Sequence, residues 1–150
     1  MKLYKNKKSN IHRNGLSAST NIKKDQRIIQ YKGKKVSLYK VETDQKYDND
    51  KPIYLFTLNK RYDLDGDFKF NTARLINHSC NPNCEVMDYK KKLWVFAMRD
   101  IKKSEELTYD YGFSFDKDYK QYVCKCGAKN CAGFIVREGS RWRIKKSRSA

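Results

Sequence analysis

Apolar positions in this chain come in short runs separated by polar and turn-forming residues, and none holds a helical period for long. Residues 53–58, Ile-Tyr-Leu-Phe-Thr-Leu, are the clearest strand, because aromatic and branched side chains suit a pleated, half-buried surface. Residues 27–36 also read as extended, with an interruption at Gly33. Residues 84–89 and 93–99 flank Lys90-Lys91-Lys92 and predict a hairpin. Its second arm, Leu-Trp-Val-Phe-Ala-Met-Arg, is apolar at successive positions and is expected to be buried on both faces. Residues 107–111 predict another short strand, and residues 71–77 a turn or two of helix. Residues 38–50 are polar, end in Asp-Asn-Asp and read as loop or weak helix. Many short strands and little helix make a mainly β fold.

At 150 residues there is room for one domain with a modest core. Aromatics at 13% oppose disorder, since a solvated chain has little use for so many rings. No apolar run approaches the roughly 18 residues that cross a bilayer. The start, Met1-Lys2-Leu3-Tyr4-Lys5, is basic but lacks the apolar stretch of a signal peptide. The expectation is a soluble, intracellular protein with no membrane partner.

The formal net charge of +17 creates a field that attracts polyanions such as nucleic acid, or a protein already sitting on one. A merely solvated surface is the competing reading, because lysine is scattered along the whole chain. The densest basic run is residues 141–148, in a stretch read as a tail. The acidic residues at 44–50 and 63–67 either guide a basic peptide or are solvated loops.

Five cysteines are present, an odd count, and three crowd into Cys124-Lys-Cys126-Gly-Ala-Lys-Asn-Cys131. In an intracellular chain this C-x-C-x4-C cluster points to a metal before disulfides. Three thiolates so close can occupy three corners of a tetrahedral zinc site, with Gly127 turning the chain between them. The fourth corner is open among Cys80, Cys84, His78 and His12. The bland alternative is a loop of free thiols.

Residues 74–84 contain Asn77-His78-Ser79-Cys80-Asn81-Pro82-Asn83-Cys84, and residues 105–112 read Glu-Glu-Leu-Thr-Tyr-Asp-Tyr-Gly. In this order and spacing the two resemble the signatures of SET-domain lysine methyltransferases. The late cysteines are similar to that family's post-SET zinc motif. Upstream, Ile11-His12-Arg13-Asn14-Gly15-Leu16 resembles its first glycine motif, and Gln30-Tyr31-Lys32-Gly33 its next strand. The likeness runs from about Ile11 to Ile135.

The resemblance implies a SET fold of several small β-sheets with little helix and a knot-like threading of the C-terminal part. The divisions it suggests are a basic lead-in at residues 1–10, a SET domain at 11–115, a post-SET zinc segment at 116–136 and a basic tail at 137–150. It would bring Cys80 to Cys124, Cys126 and Cys131 around one structural Zn2+, leaving Cys84 as a small buried residue. The activity implied is transfer of methyl groups from S-adenosylmethionine to lysine on a histone tail or another basic protein. Tyr111 matches the catalytic tyrosine, Tyr31 a lysine-channel tyrosine, and Tyr109 the position that limits how many methyls fit, with mono- and dimethylation expected. The matched cofactor positions are His12, Arg13, Asn14, Gly15, Tyr54, Asn77, His78 and Lys125, with Phe134 a further neighbour of adenine. The setting implied is chromatin in a eukaryote or cytoplasm in a bacterium; oligomeric state is left open. Two departures stand out: Arg13 occupies the place of the first glycine of G-x-G, and Lys34 that of an acidic residue. No cysteine-rich segment precedes the domain, so the substrate-recognition parts of larger relatives are expected to be absent. The competing functions are a catalytically weak SET-fold module that binds basic tails or nucleic acid, and a small zinc protein binding nucleic acid by charge.

Overall fold

The computed structural model describes residues 2–47 and 54–144. Its strands form four small sheets, two of two strands and two of three. The polar lead-in is itself a strand: β1 (Tyr4–Lys8) pairs antiparallel with β2 (Asn14–Ala18), from Tyr4 opposite Ala18 to Lys8 opposite Asn14. Backbone hydrogen bonding, rather than side-chain burial, holds β1, since four of its five residues are exposed.

The extended run at 27–36 divides as expected at Gly33. β3 (Arg27–Tyr31) joins one three-stranded sheet and β4 (Lys34–Ser37) another. A Cβ at Gly33 would collide with the carbonyl of Asp65, so glycine lets the chain cross there. The weak helix is α1 (Leu38–Thr43), capped by Ser37, whose hydroxyl accepts the Lys40 N–H at 3.2 Å. Of the strand expected at 53–58, β5 (Leu55–Thr57) forms, while Ile53 lies outside the described residues. So do Asp48 and Asp50 of the acidic stretch and the basic run beyond Ile144. β6 (Tyr62–Asp65) pairs with both β4 and β5. Its buried Asp65 accepts Lys46 Nζ at 2.7 Å and the Tyr47 hydroxyl at 2.9 Å, which ties the segment after α1 to the sheet.

β8 (Cys84–Tyr89) and β9 (Lys92–Ala97) form the expected hairpin and complete the sheet order β3-β9-β8. Its two-residue turn, Lys90-Lys91, has φ of 52° and 65°, the sign that a tight hairpin requires. The second arm is not buried on both faces. Val95 and Ala97 are fully buried, but Trp94 and Phe96 are half-buried and Met98 is exposed. The sheet thus has one core face and one partly open face.

A 3-10 turn at Thr72–Leu75 leads into β7 (Asn77–His78), which pairs parallel with β10 (Thr108–Tyr109). The main core lies beneath these sheets, centred on Leu16, Ile22, Ile76, Val95, Ile101 and Leu107. A second small core gathers Tyr119, Val136 and Ile144 with Phe115 and Phe134. Of the basic run expected as a tail at residues 141–148, Ile144 is fully buried in this core.

Candidate active site and metal centre

Parallel pairing of β7 and β10 sets the site. Thr108 stands opposite Asn77 and Tyr109 opposite His78, and the Ser79 N–H donates to the Tyr109 carbonyl at 3.3 Å. Asn83 staples the following loop down: its Oδ1 accepts the Thr108 N–H at 2.9 Å and its Nδ2 donates to the Glu106 carbonyl at 2.8 Å. The two signature segments are thereby locked side by side.

His78 is the hinge between them. The Tyr111 N–H donates to its Nδ1 at 3.0 Å, and its Nε2 lies 3.7 Å from Cys80 Sγ. Because Nδ1 accepts, the neutral ring carries its hydrogen on Nε2, facing the sulfur. Burial holds its pKa down at about 4, against an opposing pull from Asp110 and with added depression from Arg141. From sequence His78 is a cofactor position and one of four candidates for the fourth metal ligand; its side-chain bond to the Tyr111 N–H was not foreseen.

Beyond His78 the rings run in a continuous series. His78 and Tyr111 have centroids 5.3 Å apart, Tyr111 and Tyr109 4.9 Å, Tyr109 and Phe56 5.9 Å, and Phe56 and Tyr31 4.6 Å. Tyr54, Leu55, Phe56, Tyr109, Tyr111 and Phe113 line a cleft of about 20 Å3, enough for about one water molecule. The Tyr111 hydroxyl donates to the Ile76 carbonyl at 2.6 Å, and that of Tyr31 to the Tyr54 carbonyl at 3.1 Å. Tyr31 backs Phe56 rather than lining the cleft, and Gly66 abuts its ring so closely that a Cβ would overlap it. Burial, and next the neighbouring phenols, push Tyr31, Tyr109 and Tyr111 above the ordinary tyrosine range. All three are neutral at physiological pH, so the cleft is aromatic and uncharged.

The glycine-motif loop folds against the other side of β7. Ser9 organises it: its Oγ lies 2.8 Å from both carboxylate oxygens of Glu106 and accepts the Ile11 and His12 N–H groups at 2.9 and 3.2 Å. Asn77 Nδ2 points into this cluster, 3.0 Å from Ser9 Oγ, 3.1 Å from the His12 carbonyl and 3.0 Å from Glu106 Oε2. A Cβ at Gly15 would stand 2.7 Å from Glu106 Oε2 and 3.1 Å from Asn77 Nδ2, so glycine keeps this cradle open. Arg13 adopts φ of 45°, the left-handed conformation that a glycine takes freely. The side chains of His12, Arg13 and Asn14 are exposed, and Lys125 is exposed on the cysteine loop. Phe134 packs on Tyr119, with ring centroids 5.2 Å apart. Ser9 and Glu106 were not singled out from sequence; 97 residues separate them, and no local pattern joins them.

The sulfurs of Cys80, Cys124, Cys126 and Cys131 all lie within 4.8 Å of one another, a group that could hold a metal ion. Cys80 and Cys124 are 3.8 Å apart, which matches the edge of about 3.8 Å in a tetrahedron with bonds of about 2.3 Å to zinc. Backbone N–H groups point at the sulfurs, from Cys80 to Cys126 at 3.5 Å and from Gly133 to Cys131 at 3.4 Å. Burial raises the Cys126 thiol, but the N–H donors of Cys80 and Ala128, together with Cys124 and Cys131, outweigh it and bring the pKa to about 6. Gly127, at φ of 73°, turns the chain between Cys126 and Cys131. Cys84 faces the core instead: burial pushes it up to about 12, and its thiol lies 3.3 Å from Asn83 Oδ1.

Arg141 straps the end of the chain across the site. It donates from Nε to the Val136 carbonyl at 3.0 Å, from one terminal nitrogen to the Cys80 carbonyl at 2.9 Å, and from the other to Asp110 Oδ2 at 2.9 Å. Asp110 also accepts the N–H groups of Gly112 and Glu138. The cysteine loop, the Asn77–Cys80 loop and the Tyr109–Tyr111 segment are thus tied together.

Comparison with known proteins agrees with this geometry. The family model described as the SET domain matches residues 13–112. Histone-lysine N-methyltransferase ASHR3 of Arabidopsis thaliana is 36% identical over 129 residues, covering 81% of this chain and 25% of that protein. The H3 lysine-4 specific histone-lysine N-methyltransferase of Saccharomyces cerevisiae is 38% identical over 136 residues, 85% of this chain and 13% of its own length. The trithorax histone-lysine N-methyltransferase of Drosophila virilis is 34% identical over 134 residues, 85% of this chain and 3% of its own. The chain therefore spans a quarter or less of the length of these relatives. Matched signatures, small β-sheets and the joined cleft and cysteine centre place it in one group: the chain belongs to the SET-domain family.

Proposed function

We propose that this chain transfers methyl groups to the side-chain amine of a lysine on a histone or another basic protein. The observation that carries the reading is the narrow, neutral aromatic cleft that ends at Tyr111, beside the Asn77–Glu106 cradle.

The chemistry asks for a neutral amine, since lysine has an unperturbed pKa of about 10.4 and arrives charged. A dry aromatic cleft disfavours the ammonium form and confines the alkyl stem. Tyr111, fixed by its bond to the Ile76 carbonyl, keeps lone pairs on its oxygen that can receive an amine N–H and hold the nitrogen in line. Alignment of this kind supplies several kcal/mol of a displacement barrier. Tyr109 narrows the cleft and limits the product to mono- and dimethyl-lysine. Tyr31 braces Phe56 and the cleft wall.

S-adenosylmethionine, when bound, supplies a methyl group on a sulfonium. The cradle fits its amino-acid end: the Glu106 carboxylate and the His12 carbonyl accept from an ammonium, and Asn77 donates to a carboxylate. The His12–Gly15 loop, the His78 backbone, Tyr54 and Lys125 would complete its surroundings. Zinc fits the four sulfurs, and a closed four-thiolate site is structural; it would hold residues 116–136 against the SET domain at 11–115. The names of the relatives favour histones as substrate and chromatin as the place of action.

The test is incubation of the chain with radiolabelled S-adenosylmethionine and mixed core histones, alongside Tyr111→Phe. A labelled histone band that the variant nearly abolishes supports the reading. Cofactor binding without transfer would instead favour a module that reads basic tails.

A further inference from the structure

The sheet β3-β9-β8 has a second face, turned away from the core and the aromatic cleft. Register places Met87 opposite Trp94, Glu85 opposite Phe96 and Tyr89 opposite Lys92, with Gln30 flanking Trp94 on β3. Met87 is 41% exposed and Tyr89 38%, and Trp94 and Phe96 are half-open. A groove of about 240 Å3 continues off the β3 edge, lined by Tyr4, Ile28, Gln30, Lys32, Phe70 and Trp94. Phe70, at its rim, is 54% exposed. Aromatic surface is thus gathered on one face rather than scattered singly.

Cations are interleaved with these rings. The Arg27 guanidinium lies 4.5 Å from the ring centroids of both Tyr89 and Trp94. Lys90 stands over Tyr89 at 5.3 Å and Lys2 over Tyr4 at 5.3 Å. Lys91 and Lys92 complete the hairpin tip, and Lys32 lines the groove. Glu85 and Asp88 are the acidic residues of β8, and Asp88 accepts the Lys91 N–H. A protein interface core is depleted in lysine. Rings between cations instead suit a ligand with flat apolar faces on an anionic backbone, the chemistry of unpaired nucleotides. The net charge of +17 gives the complementary field.

We propose that this face of β3, β9 and β8 is a binding platform for single-stranded nucleic acid. Trp94, Tyr89 and Phe70 offer ring surface for stacking bases, and Lys32, Lys90, Lys91 and Lys92 meet phosphates. Tyr31 and Leu93 point to the opposite face of the same sheet, so the platform and the aromatic cleft can be occupied together.

Fluorescence anisotropy with a fluorescein-labelled oligouridine of about 12 nucleotides, within the usual site size, tests it against a duplex of equal length. The expected result is tighter binding of the single strand, with affinity falling steeply as salt rises. Trp94→Ala weakens it about tenfold or more, while Tyr39→Ala, which removes a ring exposed elsewhere, leaves it unchanged. The double variant Lys32→Glu, Lys92→Glu alters only exposed side chains; it lowers affinity and flattens the salt dependence. Equal binding of both nucleic acids that Trp94→Ala does not alter would overturn the platform in favour of charge alone. A concentration-dependent dimer in sedimentation, lost in Trp94→Ala, would overturn it in favour of a contact between copies of this chain.

Discussion

Arg13→Gly should stabilise this protein, although it removes a side chain and adds backbone freedom. Arg13 is held at φ of 45° by the turn that the Ser9 N–H closes onto its carbonyl at 2.7 Å. A left-handed conformation costs an L-residue about 1–2 kcal/mol, which glycine avoids. Against this, glycine gives the unfolded chain more conformations, about 0.4–1 kcal/mol. The difference is a net gain of about 0–1.6 kcal/mol, centred near 0.8, or a rise of up to about 6 °C in Tm for a domain of this size. Arg13→Ala keeps the strain and should give no such rise, which separates backbone relief from the mere loss of a cation in a chain of high positive charge. Thermal unfolding followed by circular dichroism measures both. Equal rises for glycine and alanine, or a fall for glycine, would refute strain at this position. Calorimetric titration of the two variants with S-adenosylmethionine then reports whether the arginine side chain itself obstructs the cradle.

Removing metal with a strong chelator should open the residues after Tyr111, about a quarter of the chain, to proteolysis and lower methyl transfer in parallel. Intact protection by mass spectrometry would separate the cysteine cluster from the fold. Arg141→Ala breaks bonds to the Val136 and Cys80 carbonyls and to Asp110, and should cost about 2–4 kcal/mol in urea unfolding. Arg141→Lys recovers only part of this, because a point charge cannot span the same fork. Tyr109→Phe should shift products towards trimethyl-lysine; an unaltered distribution by mass spectrometry would remove its limiting role.

Strands with clean apolar patterns were legible in the sequence, and those held by other forces were not. β5 and the β8–β9 hairpin follow from side-chain pattern, and Gly33 marks the boundary between β3 and β4 because the chain passes Asp65 there. β1, Tyr-Lys-Asn-Lys-Lys, shows no alternation, since backbone pairing with β2 holds it. β6 is hidden because Asp63 and Asp65 are the residues that turn inward. On β9, an unbroken apolar run suggested burial on both sides, whereas Trp94 and Phe96 face outward. Spacing alone left the fourth ligand open among Cys80, Cys84 and two histidines. In three dimensions Cys84 begins β8 and is paired opposite Ala97 over the core, while Cys80 lies in the loop that meets the late cysteines. The Ser9–Glu106–Asn77 cluster was beyond reach from sequence, because it exists only once β2, β7 and β10 converge.

The four sulfurs are recruited from two distant parts of the chain. Cys80 and Cys124 are 44 positions apart in the chain, and Cys80 follows directly on β7, the strand that pairs with β10. A nascent chain that stops before Cys124 possesses every strand through β10, yet offers one of the four thiolates. A four-sulfur site is therefore complete only after residues 124–131 have been made and folded against Cys80. An ion held there would report the assembled site, not the strands alone.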